Sequence, residues 1–347
     1  MLLYNKAMRL LGRKRKDEDE INEPSEGKEK PKRTRKKKEE VKPWGKVERV
    51  LVFGVLFLTI LVSVVLALNA RSWKLPGFPR LELTKGVLQQ TYVFEGKPPT
   101  RDTQKILDAV DELTRDASGV YGFYVINLNT EETYGENIDE IFQAASLIKL
   151  PIMTALYSEY EKGNIDLDDV YILKDADKVG GYGSIVYQDA GRQYSYRELV
   201  EHMGRESDNT AFNASVQLLG EDFVREYISQ IGLEHTSYDD NETTPRDIGM
   251  FFRKLWQRKL VDRSSRDEIL KYLTNTIYED WIGKGITDVR VAHKFGREVH
   301  VVNDAGIVFG ESPYVLVIMS KGVVEPEADE IIPEIASLVH RFESEGN

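Results

Sequence analysis

The feature that most constrains this chain is a run of nineteen residues without a charge, VLVFGVLFLTILVSVVLAL at positions 50–68. At 1.5 Å of rise per residue such a helix spans roughly the 30 Å hydrocarbon core of a bilayer, and it satisfies its own backbone hydrogen bonds there. The run divides the charge unequally. Residues 1–49 hold 17 Lys/Arg against 10 Asp/Glu, out of 47 against 58 in the whole chain. That leaves 30 against 48 elsewhere, so a tail of +7 precedes a body of −18. A cleaved signal peptide begins with a short charged segment, whereas 49 residues precede this run, and Ala67-Leu68-Asn69-Ala70 is a poor cleavage site. We therefore expect an uncleaved single-pass anchor at residues 50–70 in the cell membrane. The Lys/Arg excess puts the N-terminus in the cytoplasm and the large body outside it.

The tail, with Pro31-Lys-Arg-Thr-Arg-Lys-Lys-Lys38 at its centre, is polar and rich in both charges, so residues 1–49 cannot bury enough surface to fold. Its ordinary role is to set topology, and its sharper one is adhesion to anionic lipid heads. An acidic body argues against nucleic acid as a partner. The chain has no cysteine, which excludes disulfides, thiolate nucleophiles and Cys-ligated metals. Its five histidines form no H-E-x-x-H or other dense ligand set, so no metal is implied.

Pro76, Pro79, Pro98 and Pro99 mark residues 71–100 as a stem rather than a folded unit. A domain is expected over 101–347. It opens with a helix over 103–115 and a hairpin whose first strand is 119–128, and it closes with strands over 289–295, 300–309 and 314–320 and a helix over 327–342. Between these sets the sequence reads as helical, with explicit starts. Ser195-Tyr-Arg-Glu198 is a capping box, Thr244-Pro245 places a cap before proline, and Ser264 with Asp267 repeats the box spacing. Strands at both ends with helices between imply an α+β fold. One antiparallel sheet is built from both ends of the domain, flanked by helices, with an inserted all-helical lobe and a cleft between the two.

Three motifs carry chemistry. In Phe142-Gln-Ala-Ala-Ser146-Leu-Ile-Lys149, three-residue spacing on a helix sets Lys149 on the face of Ser146. A serine hydroxyl needs a neighbouring base, and a buried lysine near other cations can be one. Glu206-Ser207-Asp208-Asn209 stands at a helix entry, and Ala292-His-Lys294-Phe295-Gly296 lies on a strand. Each pattern also occurs by chance: Ser25-Glu-Gly-Lys28 repeats the first in the tail and Lys178-Val-Gly180 repeats the third. In this order and on these elements, the three together are not an accident.

With these motifs, residues 101–345 resemble the serine β-lactamase and penicillin-binding superfamily, and most closely class A β-lactamases. The resemblance implies that Ser146 is the nucleophile and Lys149 its base. Ser207 would relay a proton to the leaving nitrogen, Asn209 would bind the substrate amide, and Lys294 would supply positive potential near the substrate carboxylate. The backbone N–H groups of Ser146 and Arg297 would form the oxyanion hole. The substrate would be a β-lactam or a D-Ala-D-Ala-like peptidoglycan stem peptide, with no cofactor. Gly296 suits a strand edge along which a substrate backbone lies.

The sequence departs from the family pattern twice. Phe295 stands where K-T-G has a hydroxyl, which removes a donor and adds bulk beside the substrate subsite; the Arg297 guanidinium is a candidate to replace that donor. No E-x-x-L-N lies between Ser207 and Lys294, although Glu234, Asp239, Asp240 and Glu242 occupy the short loop before Thr244. In class A enzymes the Glu of that motif positions the water that hydrolyses the acyl-enzyme. The expected activity is an extracytoplasmic serine hydrolase that acylates readily and deacylates slowly with penicillins. A true β-lactamase with unusual deacylation and a catalytically idle wall-binding module are the alternatives. A Ser-His-Asp hydrolase is not supported, since no G-x-S-x-G elbow is present.

Overall fold

The computed structural model describes residues 45–70 and 100–345, which fall in two units. The basic cluster of the tail and almost all of the expected stem lie outside the described residues. In the first unit a helix, α1, runs over Lys46–Ala70. Side chains are described only for 51–63, and they are exposed. Among the described residues no helix is long and apolar enough to cross a membrane.

The second unit is built on a five-stranded antiparallel sheet in the order β2-β1-β9-β8-β7. β1 (Val120–Asn127) and β2 (Thr133–Glu136) come from the start of the unit and β7 (Val291–Glu298), β8 (Val301–Val308) and β9 (Tyr314–Lys321) from its end, while β3 (Phe142–Gln143) with β6 (Glu242–Thr243) and β4 (Val170–Ile172) with β5 (Gln193–Ser195) form two short separate pairs. β1 pairs with β9 along its whole length, from Val120 opposite Lys321 to Asn127 opposite Tyr314. The two ends of the chain segment therefore close one sheet, as the pattern of strands implied.

Alternation sorts the strands onto two cores. Tyr124, Ile126, Val315, Val317 and Ala305 face the helical lobe, while Phe123, Val125, Leu316, Ile318 and Val302 face helices α2 (Gln104–Thr114) and α10 (Glu325–Glu345). Both faces are covered, which is why the strands read as nearly continuous apolar runs. The inserted lobe contains α3 (Lys149–Glu161), α4 (Tyr196–Arg205), α5 (Asn209–Leu219), α6 (Glu221–Gln230), α7 (Pro245–Trp256) and α8 (Arg263–Tyr272); the short α9 (Ile282–Gly285) precedes β7.

The start signals have clear outcomes. The Ser195–Glu198 capping box is complete, and Thr244 accepts from the Asp247 N–H ahead of Pro245. The box at Ser264 is not used: α8 is capped by Asp262, which accepts from the Ser265 N–H. A carboxylate two residues earlier takes the orphan donor and favours the positive end of the helix. Pro151 costs α3 nothing, because it sits in the first turn, where N–H groups have no intrahelical partner.

Candidate active site

Ser146 lies in a 3₁₀ turn, Ala145–Ile148, that leads directly into α3. The backbone before it is held in a costly shape. Ala145 has φ +48°, a left-handed conformation that costs a non-glycine residue on the order of 1–3 kcal/mol. Three contacts impose it: Phe142 pairs with Thr243, the Ala144 N–H donates to Asn241 O (2.7 Å), and Asn303 Nδ2 donates to Gln143 O (2.8 Å). Edge strand β7 closes on the same turn. A Cβ on Gly296 would stand 3.0 Å from the Ser146 nitrogen and 3.1 Å from Ala144 O. The glycine is therefore needed for the approach of the chain's own backbone to Ser146, a reason different from the substrate contact expected from sequence.

Lys149 is buried and within reach of four oxygens. Its Nζ is 2.5 Å from Ser207 O, 2.6 Å from Asn209 Oδ1, 3.1 Å from Ser146 Oγ and 3.2 Å from Ser207 Oγ. The carbonyl and the amide oxygen can only accept, so they take two N–H bonds and direct the remaining position of Nζ at the two hydroxyls. The orientation of the Asn209 amide is set by its other end, since Nδ2 donates to Gly180 O (2.8 Å). Burial pushes the Lys149 pKa down to about 7, against the opposing fields of Asp208 and Glu298. A neutral amine at that position turns its lone pair toward Ser146 Oγ.

Ser207 joins two buried lysines. Lys294 Nζ donates to its Oγ (2.8 Å) and to Phe295 O (2.9 Å), and burial followed by the charge of Lys149 holds Lys294 well below the usual lysine range. Ser207 is left-handed at φ +57°, which turns its carbonyl onto Lys149. The helix cap is the next residue: Asp208 accepts from the Ala211 N–H and from the Ile185 N–H, each at 2.8 Å. Gly183 is required beside it, since a Cβ there would meet Asp208 Oδ2 at 2.1 Å.

The arrangement provides a hydroxyl, a base with a shared proton path to a second hydroxyl, and a cation beyond it, which is the equipment for acyl transfer. His202, Glu206 and Asp208 bring ligand atoms within 4.8 Å of one another. Glu206 accepts from the Ser184 N–H (3.0 Å), so this cluster, with the Ile185 N–H bond to Asp208, ties the loop at 179–188 to α5.

Two of the sequence expectations change, those for Phe295 and Arg297, while the loop carboxylates are solvated or paired as expected. Phe295 does not face a subsite: its ring is fully buried, with Tyr278 at 4.2 Å and Tyr182 and Trp281 at 5.5 Å between centroids. Turning it outward would forfeit about 1.5–3 kcal/mol of burial. The Arg297 guanidinium is not free to replace the missing hydroxyl, because it forks onto Asp329 at 2.6 and 3.2 Å. The loop carboxylates reach neither Ser146 nor Lys149 by hydrogen bond: Asp239 pairs with Arg225, Asp240 accepts from Ser237, and Glu234 and Glu242 are exposed. From that loop Tyr238 approaches instead, its ring 6.4 Å from that of Phe212, which lies 5.9 Å from Lys149 Nζ.

The sequence reading also missed a trio beside Lys294, in which His293 and Asp304 are buried and Glu279 is exposed. His293 bonds Asp304 through Nδ1 (2.8 Å) and Glu279 through Nε2 (3.1 Å). Burial alone would lower its pKa, but the two carboxylates raise it to about 10. Only the alternation of His293 with Lys294 on one strand could have hinted at it.

The profile of the Beta-lactamase enzyme family matches residues 104–342, more than half of the 347-residue chain. This chain belongs to the Beta-lactamase enzyme family. Beta-lactamase VEB-1 of Pseudomonas aeruginosa is 22% identical over 271 residues, which cover 69% of this chain and 91% of that protein. PBP-A superposes with a TM-score of 0.68 at 27% identity, covering 72% of this chain and 99% of that one. A PBP-A variant solved as an acyl-enzyme complex with penicillin G gives 0.67 at 27% identity with the same coverage. As a member of the beta-lactamase family the chain is a serine hydrolase of the β-lactamase and penicillin-binding type.

Proposed function

We propose that this serine hydrolase attacks the amide of a β-lactam or of a D-Ala-D-Ala-like peptide through an acyl-Ser146 intermediate. The observation that carries the reading is Lys149, whose two acceptor-only contacts aim its remaining position at Ser146 Oγ. Neutral Lys149 takes the Ser146 proton as the oxygen attacks the carbonyl carbon. The proton passes by way of Ser207 to the leaving nitrogen, while Lys294 holds the Ser207 hydroxyl. Asn209 uses one of its two N–H donors on Gly180 O, which leaves the other for a substrate amide. The backbone N–H groups of Ser146 and Arg297 stabilise the oxyanion. The penicillin acyl-enzyme of the PBP-A variant supports the same intermediate.

The enzyme is anchored by the helix at 50–70, with the basic tail in the cytoplasm and the catalytic domain outside. The charge-free run and its flanking Lys/Arg excess support this topology. Protease added to spheroplasts should digest the chain beyond Arg71 and spare 1–49; protection of the catalytic region would overturn the orientation.

The chemistry is tested by mass spectrometry of the full chain after incubation with a labelled penicillin. An adduct on Ser146 that is absent from Ser146→Ala supports the reading. Binding of penicillin without an adduct would instead favour an idle wall-binding module.

A further inference from the structure

We propose that one end of the catalytic unit, the turn between α7 and α8, is a docking face for an anionic phospholipid surface. The inference goes beyond the acyl-Ser146 reading and rests on the anchored topology. Residues 253–266 hold six Lys/Arg and one acid, Asp262, within a body that is otherwise acidic. Arg253 and Lys254 are used inside the fold, on Glu131 and on Ile231 O. The others gather at the surface. Arg258, Arg263 and Arg266 line, with Leu128, Trp256 and Gln257, a pocket of about 410 Å³ that has no carboxylate in its wall.

Arg266 is the fixed member of the three. Its Nη1 donates to Trp256 O (3.1 Å), its guanidinium lies 5.4 Å from the centroid of the Trp256 ring, and Asp267 accepts from Nε and Nη2 (2.9 and 2.6 Å). Arg263 is exposed and only approaches the same Asp267, at 3.7 Å. Arg258 is exposed too, and its side chain has no hydrogen bond or ion pair among the described residues. Aromatic rings continue the face. Trp256 and Phe309, both half-buried, meet edge-to-face at 5.9 Å, and the exposed Arg290 lies 3.8 Å over the Phe309 ring. Half-buried rings with arginines reaching outward are the combination that a lipid headgroup layer favours, because the rings suit the interface and the guanidinium forks suit phosphate.

Position and sign select the membrane as the source of that phosphate. Thr100, where the described chain enters the unit, bonds Glu132 through its N–H and its hydroxyl (2.9 and 2.7 Å). The neighbouring Glu131 accepts from Gln257 (2.8 Å) and pairs with Arg253, at the end of α7. The chain that follows an anchor therefore joins the unit beside the basic turn. The acidic body is repelled by an anionic surface, so the basic turn sets which face comes within a Debye length of about 8–10 Å. Docking there would hold the Ser146 turn at a set height, since Gly296, which closes on Ser146, is six residues along the chain from Arg290, about 20 Å of strand.

A chain without cysteine accepts a single reporter. Ser264→Cys, exposed beside Arg263, is labelled with an environment-sensitive fluorophore in the full chain, which is then reconstituted into nanodiscs that carry a headgroup-attached quencher. The ratio of docked to free label should be at least about tenfold higher in discs containing phosphatidylglycerol than in phosphatidylcholine discs. About 1 M salt, which shortens the Debye length to about 3 Å, should abolish the difference. Arg258→Gln combined with Arg263→Gln should lower the ratio at least about tenfold, while a labelled penicillin still acylates Ser146 at the unsubstituted rate. Should that variant fail to fold, the lipid and salt arms still decide. Equal ratios in the two discs, or a ratio unchanged in the folded double variant, would overturn the inference and leave the acyl-Ser146 reading untouched. A label that responds to soluble polyphosphate and not to phosphatidylglycerol would overturn the membrane as partner. Failure of the full chain to enter discs would overturn the anchored topology, and this inference with it.

Discussion

The two sides of Ser146 are built from different materials. Toward Ser207 the two lysines and the serine itself are buried and bonded more than once, and the lysines share one hydroxyl. Toward the loop at 232–243 the carboxylates are exposed or paired with Arg225 and Ser237, and the group nearest the base is the ring pair of Tyr238 and Phe212. The first side can form an ester. The second offers no hydrogen-bonded base to hold and deprotonate a water. A common serine thus joins a half whose polar groups are bonded to one another and a half whose carboxylates do not reach it, and the lifetime of a penicillin adduct would report the contrast between them.

The largest effect expected is on the acylating half. Lys149→Ala should lower the rate of penicillin acylation by about 10²-fold or more, the scale of losing a general base, while circular dichroism stays unchanged. An unaltered rate would remove Lys149 from the chemistry and erase the distinction between the halves. Next is the adduct itself. Stopped-flow mixing with penicillin should show acyl-enzyme accumulating to near stoichiometry and persisting well beyond the mixing time. Rapid complete turnover would mean that Glu234, Asp239, Asp240 or Glu242 reaches the ester in solution, and the Asn or Gln variant of each would identify which.

The pH profile sharpens the comparison further. Lys149 must be neutral to accept a proton, and its pKa is lowered to about 7 by burial. Acylation should therefore rise up to tenfold per pH unit below pH 7 and level off above it. A rate independent of pH from 5.5 to 9 would show that the base is another group. The smallest effect concerns His293, which holds the segment before α9 to β7. Its folded pKa of about 10 lies above the ordinary value of 6.5, so the stability it contributes is fully present below pH 6.5 and is lost as pH rises through 10. Urea midpoints of His293→Gln and wild type should differ more at pH 6 than at pH 10. An equal difference at both would mean that the His293–Asp304–Glu279 trio is held by shape and not by charge.

What the sequence by itself determined was local or periodic. Three-residue spacing brought Ser146 and Lys149 together, alternation identified the strands, and short caps at Ser195 and Thr244 started helices, because each depends on geometry within one or two turns of chain. The cap at Asp262 escaped because two acceptors competed within three residues, and only the surrounding packing selects between them. The tertiary structure alone decided what the side chains next to Lys294 touch. Phe295 is buried by Tyr182 and Trp281, Arg297 is claimed by Asp329, and His293 is held between Glu279 and Asp304. These partners come from distant loops and helices, and whether a side chain faces a ligand or its own protein is set by which long-range contact wins the burial. No local pattern records that outcome. A motif therefore reported which residues gather at the site, while the fold decided what surrounds them.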